Sequence, residues 1–374
     1  MAYEHQDILP SNATALELAF AAARDPQVRL ADPFEGLRLA APHRSPPPAF
    51  LPFLVWQLGL GELTPYLPNL YSLIAEGVAW QRVCGTPGSV RMGFDWLGYD
   101  CTVHNHPVRR RYWNKFQTEL DRVRDEDEPD LERLAGIGQL SVPERSIYWR
   151  GWKGWNVPPA EGGWSKFGGS IFGNDSGVRI PNVAPKWSFG RNYSITQDMS
   201  EAELTAIGEW IPEVPEGDLW VDADYPWVSA DFLWNIAAAV ARRASIALGL
   251  AQEAVWVHFR DGEGATIGYR KAAILPVKAV GSGGVYSIGG QQYAIDRETP
   301  QAAMVFCRTG FGDGDGEVSA TAAVCFGGAP IGVPGGRLWL SPGQLAGGTE
   351  TAPQTLAIEF GATVRERVLF LMRF

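Results

Sequence analysis

The hydrophobic rhythm of the chain changes from helical to alternating along its length. Leu16, Leu18, Ala19, Phe20 and Ala23 follow Ser11-Asn12 in a helical pattern, with Asn12 or Thr14 as the expected N-cap. Five prolines between Pro42 and Pro52 oppose helix and predict a stiff spacer. Beyond them, Phe53-Leu54-Val55-Trp56-Gln57-Leu58 reads as a short buried helix stopped by Gly59. Tyr66 to Val83 repeats apolar residues at Leu67, Leu70, Tyr71, Ile74, Val78 and Ala79, the spacing of one helix face. Gly85-Thr86-Pro87 ends that helix and opens another through Val90, Met92 and Phe94.

From Asp100 to Asp130 the chain is polar, which predicts a connector with a helix around Tyr112 to Val123. Ser146 to Ser194 has no clear period but holds five tryptophans among glycines and Asn/Asp turn residues, so irregular or short-stranded structure is expected. A helix is predicted from an N-cap at Ser229 to Leu248, ending at Gly249. After Glu253 alternation takes over, with candidate strands at Ala254–Phe259, Ala273–Val280, Val285–Ile288, Met304–Cys307, Val318–Phe326, Arg337–Leu340, Thr355–Phe360 and Val368–Phe374. Glycine-rich turns separate them. The reading is an α+β multidomain chain: a helical N-terminal module (1–100), a connector (101–145), an irregular Trp-rich middle domain with one long helix (146–250) and a C-terminal antiparallel β-sandwich (251–374).

Composition narrows the function classes. The apolar fraction of 45% and charged fraction of 20% supply material for real cores. A net charge of −10 argues against nucleic-acid binding, which needs a surplus of cations to neutralise phosphates. Met1 to Pro10 carries Glu4 and Asp7 with no apolar core, so no secretory signal is expected. The most apolar helical stretch, Ile236 to Ala251, is broken by Arg242-Arg243 and falls short of the ~20 residues a bilayer requires. Four sparse cysteines fit synthesis in a reducing cytoplasm as buried thiols.

Three pieces, in order, resemble the phage tail protein I family. Ile8-Leu9-Pro10-Ser11-Asn12-Ala13-Thr14-Ala15-Leu16-Glu17 is similar to the family's opening helix. Pro52-Phe53-Leu54-Val55-Trp56-Gln57-Leu58 is similar to its second, and Arg82-Val83-Cys84-Gly85-Thr86-Pro87-Gly88-Ser89-Val90 to its turn. Cys84 stands where the family usually has a basic residue, and Gly88 softens the following turn. The resemblance covers the first quarter of the chain. It implies a baseplate wedge or tail-tip component of a tailed phage or phage-derived particle, located in the virion and made in the bacterial host cytoplasm. Physically the matched residues are scaffold: a helix stop, a C-cap glycine and an N-terminal proline fix an interhelical angle, with Trp56 expected to anchor that corner.

Candidate chemistry is sparse. Cys84, Cys101, His104 and His106 fall within 23 residues, and Cys101-x-x-His104 has a zinc-ligand spacing; buried thiols and a loop at His106-Pro107 are the competing reading. Gly312-Asp313-Gly314-Asp315-Gly316-Glu317 fails the EF-hand pattern, with Val318 and Val324 where glycine and glutamate belong, and reads as a polar turn. Trp149-x-x-Trp152-x-x-Trp155, with Trp164 and Trp187, fits a core, a subunit interface or a glycan platform. No G-x-S-x-G, H-E-x-x-H, Walker loop or dinucleotide fingerprint occurs. Acidic pairs such as Asp222 and Asp224, beside Trp220 and Trp227, would suit a glycosidase, but paired carboxylates are common throughout an acidic chain.

The expected function is therefore structural, without catalysis, cofactor or metal. The chain would join the central hub of a tail tip or baseplate to peripheral fibres or receptor-binding proteins, in a ring of three or six copies. Candidate partner contacts are Trp56, Arg82, Gly85, Thr86, Pro87, Trp149, Trp152 and Trp155. The alternative is a tail protein that recognises a cell-surface glycan; the third reading is a polysaccharide or peptidoglycan hydrolase.

Overall fold

A computed structural model describes residues 12–24, 46–105, 113–160, 170–172, 175–181, 183–212 and 236–374. These divide into two compact units, one of residues 1–99 with 136–145, the other of 100–135 with 146–374. His106, Trp164, Trp220, Asp222, Asp224, Trp227 and Ser229 lie outside the described residues.

The first unit is helical. Helix α1 (Ala15–Arg24) opens on a reciprocal cap: Glu17 N donates to Thr14 Oγ1 at 3.3 Å, and Thr14 N donates to the Glu17 carboxylate at 2.7 Å. Of the two expected caps the chain uses Thr14. Helix α2 (Leu51–Gln57) begins earlier than the proline run suggests, because Pro52 sits in the first turn, where no intrahelical N–H is required. Helix α3 (Leu70–Val83) starts where the Asn69 side chain accepts from the backbone of Tyr71 and Ser72, and α4 (Pro87–Asp95) follows the Gly85 stop. Leu54, Leu60, Leu63, Leu73, Ile74, Val90 and Phe94 form the buried interior.

The second unit is built on one mixed sheet of fifteen strands among the described residues. Its principal strands are β1 (Cys101–Asn105), β2 (Lys115–Leu120), β3 (Ile147–Lys153), β4 (Lys186–Asp198), β5 (Val255–Arg260), β6 (Thr266–Val280), β7 (Ala302–Arg308), β8 (Val318–Phe326), β9 (Gln354–Glu359) and β10 (Val364–Arg373). Their spatial order is β1-β2-β3-β4-β10-β7-β6-β5-β8, with β9 also on β8. Each of the eight strands expected after Glu253 is present; β6 begins seven residues earlier than expected, at Thr266 instead of Ala273, and β10 four earlier, at Val364.

Two expectations are corrected and a third is refined. The helix around Tyr112 to Val123 is instead strand β2, whose Phe116, Thr118 and Leu120 alternate to one face. The Trp-rich segment is not irregular throughout, since it contributes β3 and the thirteen-residue β4. The C-terminal strands pair antiparallel among themselves, as expected, and continue into a mixed sheet with the middle segment: β10 pairs parallel with β4, and β3 with both β2 and β4. Parallel pairing needs no hairpin, so no local turn signal announces it.

One face of this sheet carries the main core, including Val257, Phe259, Val305, Val324, Ile358, Val368 and Phe370. Leu204 of α6 (Glu201–Ile207) and Ile246 and Leu250 of α7 (Ile236–Leu250) cover it. Helix α5 spans Asp130–Leu140. No helix among the described residues is long and apolar enough to cross a membrane.

Candidate functional site

In the first unit the corner between α3 and α4 is tied from inside and open outside. Gly85 takes φ 87°, a left-handed value that a side chain disfavours, and its N–H donates to Ser141 O at 3.0 Å. Ser89 Oγ donates to Ser141 O at 2.8 Å, and Trp80 Nε1 donates to Ser89 O at 3.1 Å. Trp80, 6% exposed and set against Trp96 with ring centroids 6.3 Å apart, anchors the corner. Trp56, expected in that role, is 84% exposed. Helix α2 turns Leu51, Leu54 and Val55 inward, so the helical repeat projects Phe53 and Trp56 outward beside Phe50. Arg82, Gly85, Thr86 and Pro87 are all exposed as well.

In the second unit the structure brings Trp149, Trp152 and Trp155 to one face of the sheet. Regular alternation alone would set residues three apart on opposite faces. The β2–β3 pairing skips Trp149: Tyr148 faces Phe116 and Arg150 faces Gln117. This bulge returns Trp149 to the side of Lys115, Gln117 and Glu119, where Trp152 also stands. Trp155 lies beyond the strand, over Gly190 of β4. A Cβ on Gly190 would meet the Trp155 Cβ at 3.0 Å and Gly154 C at 3.2 Å, so a larger residue there must push these neighbours back.

None of these rings is a bare platform. Trp149 has Lys115 Nζ 3.4 Å from its ring centroid, with Arg179 and Lys186 at 5.4 and 5.8 Å, and its Nε1 donates to Asp175 at 2.8 Å. Trp152 stands 6.0 Å from the His104 ring. Trp155 carries the guanidinium of Arg308 at 4.4 Å and that of Arg365 at 4.8 Å. Trp187 is core, fully buried and stacked on Phe189. Beneath Trp149 the buried Arg150 donates to Gln117 Oε1 at 2.8 Å and Ser176 Oγ at 3.1 Å; burial lowers its pKa, against the pull of Asp175.

The metal reading meets a geometric obstacle. Strand β1 runs in unbroken register with β2, so Cys101, opposite Leu120, and His104, opposite Gln117, point to opposite faces. His104 Nε2 lies 3.1 Å from Glu119 instead. Among the described residues no three His, Cys, Asp or Glu side chains come close enough to hold one ion. Cys84 is exposed, contrary to the expectation of a buried thiol. Burial pushes the Cys307 thiol up to about 12 and Cys325 up to about 11, which keeps both protonated and unreactive. Asp313, in the glycine-rich turn, accepts from Arg270 at 2.8 Å and from Gly310 N at 2.6 Å, the behaviour of a structural turn.

A hydroxyl–imidazole–carboxylate chain not anticipated from sequence links three strands. Thr266 Oγ1 is 2.9 Å from His258 Nε2, and His258 Nδ1 is 2.8 Å from Glu350 Oε1. The contacts have the order of a catalytic triad. Yet His258 is 3% exposed, Tyr269 lies on its ring at 4.2 Å between centroids, and Glu350 also bonds Arg260. Substrate has no approach to the imidazole, and the chain reads as a satisfied buried polar network. No local signal in the sequence would have found it, since Glu350 lies 92 residues from His258 and meets it only through strand register.

Comparison with known proteins agrees with the motifs. Residues 9–144 match the phage tail protein family (Tail_P2_I), which takes in the N-terminal helical unit and continues through β1, β2 and α5. No curated protein matches the chain.

Proposed function

We propose that the chain is a structural subunit of a phage or phage-like tail tip or baseplate, joining the central hub to peripheral fibres or receptor-binding proteins. The observation that carries this reading is the outward aromatic row of Phe50, just before α2, with Phe53 and Trp56 on it, inside the region that matches the tail family. Together these rings leave apolar area that gains free energy only when another surface covers it. The exposed corner Arg82, Gly85, Thr86 and Pro87 is a second candidate contact of the same unit, rigid because Gly85 and Ser89 are tied to Ser141. Trp149, Trp152 and Trp155 are candidate contacts of the second unit. The subunit acts by fitting neighbours in a ring of three or six copies within the virion, and it carries no catalytic role. Co-purification of tail proteins with the chain, weakened by Trp56→Ala or Phe53→Ala without loss of folding, is the supporting experiment. Undiminished co-purification of both variants would remove α2 from the interface.

A further inference from the structure

The sheet face that carries Trp155 also carries three arginines in search of a counterion. Arg365 and Arg367 alternate with the buried Glu366 on β10, so both point to the Trp155 side. Arg308 on β7 stands directly opposite Arg367 in the antiparallel register, a like-charge pair that destabilises a sheet when nothing neutralises it. All three are half-buried, and among the described residues no carboxylate pairs with any of them. The nearby acid, Asp313, is already bound to Arg270. Aromatic rings hold the guanidiniums in place: Trp155 under Arg308 and Arg365, Phe306 within 5.4 Å of Arg367 and 5.1 Å of Arg308. Arg367 Nε is buried with no hydrogen-bond partner. That one orphaned donor is costly unless a ligand satisfies it, whereas Arg365 Nε donates to Thr309 O at 2.7 Å.

We propose that this face docks an acidic segment of a neighbouring protein, whose carboxylates enter between Arg308, Arg365 and Arg367. The inference rests on the reading of the chain as a tail subunit and names the chemistry of one of its contacts. Guanidinium forks match carboxylates in bidentate fashion, and a rigid arginine–aromatic cluster is the composition of interface anchors. The chain as a whole carries −10, so an acidic partner is repelled elsewhere and accepted only where cations concentrate. A glycan is the poorer fit, because the Trp155 ring that would stack on a sugar already carries two guanidiniums.

The test is titration of the full chain with a fluorescently labelled oligoglutamate peptide, with polygalacturonate and inorganic phosphate as parallel probes. Saturable binding of oligoglutamate is expected, weakening as salt rises, and reduced about tenfold by Arg308→Gln and again by Arg367→Gln. The same two variants, free of ligand, should melt at the wild-type temperature or above it, since each removes a repulsion. Unchanged oligoglutamate binding in both variants, or a lower melting temperature in both, overturns the proposal. Tighter and arginine-dependent binding of polygalacturonate overturns it in favour of a glycan, and of phosphate alone in favour of a small anion. A chain that assembles into tails normally with both substitutions sinks this inference and leaves the tail reading standing; a chain absent from the tail sinks that reading whatever the titration shows.

Discussion

Glu366 on β10 stands directly opposite Arg191 on the parallel strand β4, and its Oε1 lies 2.7 Å from Arg191 Nη2 and 3.0 Å from Nε. Glu366 is 1% exposed. Burial raises its pKa, against the opposing hydrogen bond and charge of Arg191. The pair therefore marks the seam where the middle segment joins the C-terminal strands. Removing one partner leaves the other charge uncompensated in the interior. Glu366→Ala is expected to destabilise the chain by about 3 kcal/mol in urea unfolding. The double variant Arg191→Met with Glu366→Leu should recover most of that loss. A double variant as unstable as the single one would show that the pair does not act as a unit.

Trp80 and Trp56 are predicted to part company under mutation. Trp80→Ala opens a cavity at the α3–α4 corner and frees the Ser89 carbonyl, at a cost of about 3–5 kcal/mol. Trp56→Ala removes an exposed ring, so its effect on the free chain should stay within about 0.5 kcal/mol. Comparative urea unfolding of the two variants measures both, and equal losses would contradict the placement of Trp56.

Acid should weaken the second unit through His258. Burial lowers the pKa of its imidazole below 6.5, outweighing the opposing charge of Glu350. Because the folded value lies below the unfolded one, the neutral ring contributes stability above pH 6.5 that is lost as pH falls through the folded value. Melting curves from pH 7.5 downward should show a drop in Tm below pH 6.5 that is smaller in His258→Gln. Parallel profiles for the two chains would remove His258 from the account.

Gly190 permits Trp155 to lie on β4. Gly190→Ala is expected to displace that ring at a cost of about 1–3 kcal/mol, with reduced oligoglutamate binding following the loss of support under Arg308. Full stability and binding in this variant would show that the sheet face tolerates the added methyl.

What the sequence makes legible is local. The corner from Leu70 to Asp95 is written in Asn69, Gly85 and Pro87, and the strands after Glu253 in β-branched alternation bounded by glycines. Strand β2 is hidden because Lys115-Phe116-Gln117-Thr118-Glu119-Leu120 is too short and polar to show its period against a helical reading. In β4 the alternation of Trp187, Phe189, Tyr193 and Ile195 is present but interrupted on the same face by the charged Arg191. The arginine face is half-written: Arg365-Glu366-Arg367 on a strand puts both cations on one side. The opposition of Arg308 comes only from register between segments far apart in the chain. Long-range register is the information that a single sequence holds least openly.

The measurement that bears most directly on the tail-subunit reading is a cryo-EM reconstruction of the intact particle, or a cross-linking map of it. The account predicts the first hundred residues clamped between tail-tip subunits, with Phe53 and Trp56 covered by a neighbouring chain. Absence of the protein from the particle, or its release as a free species, would contradict the account.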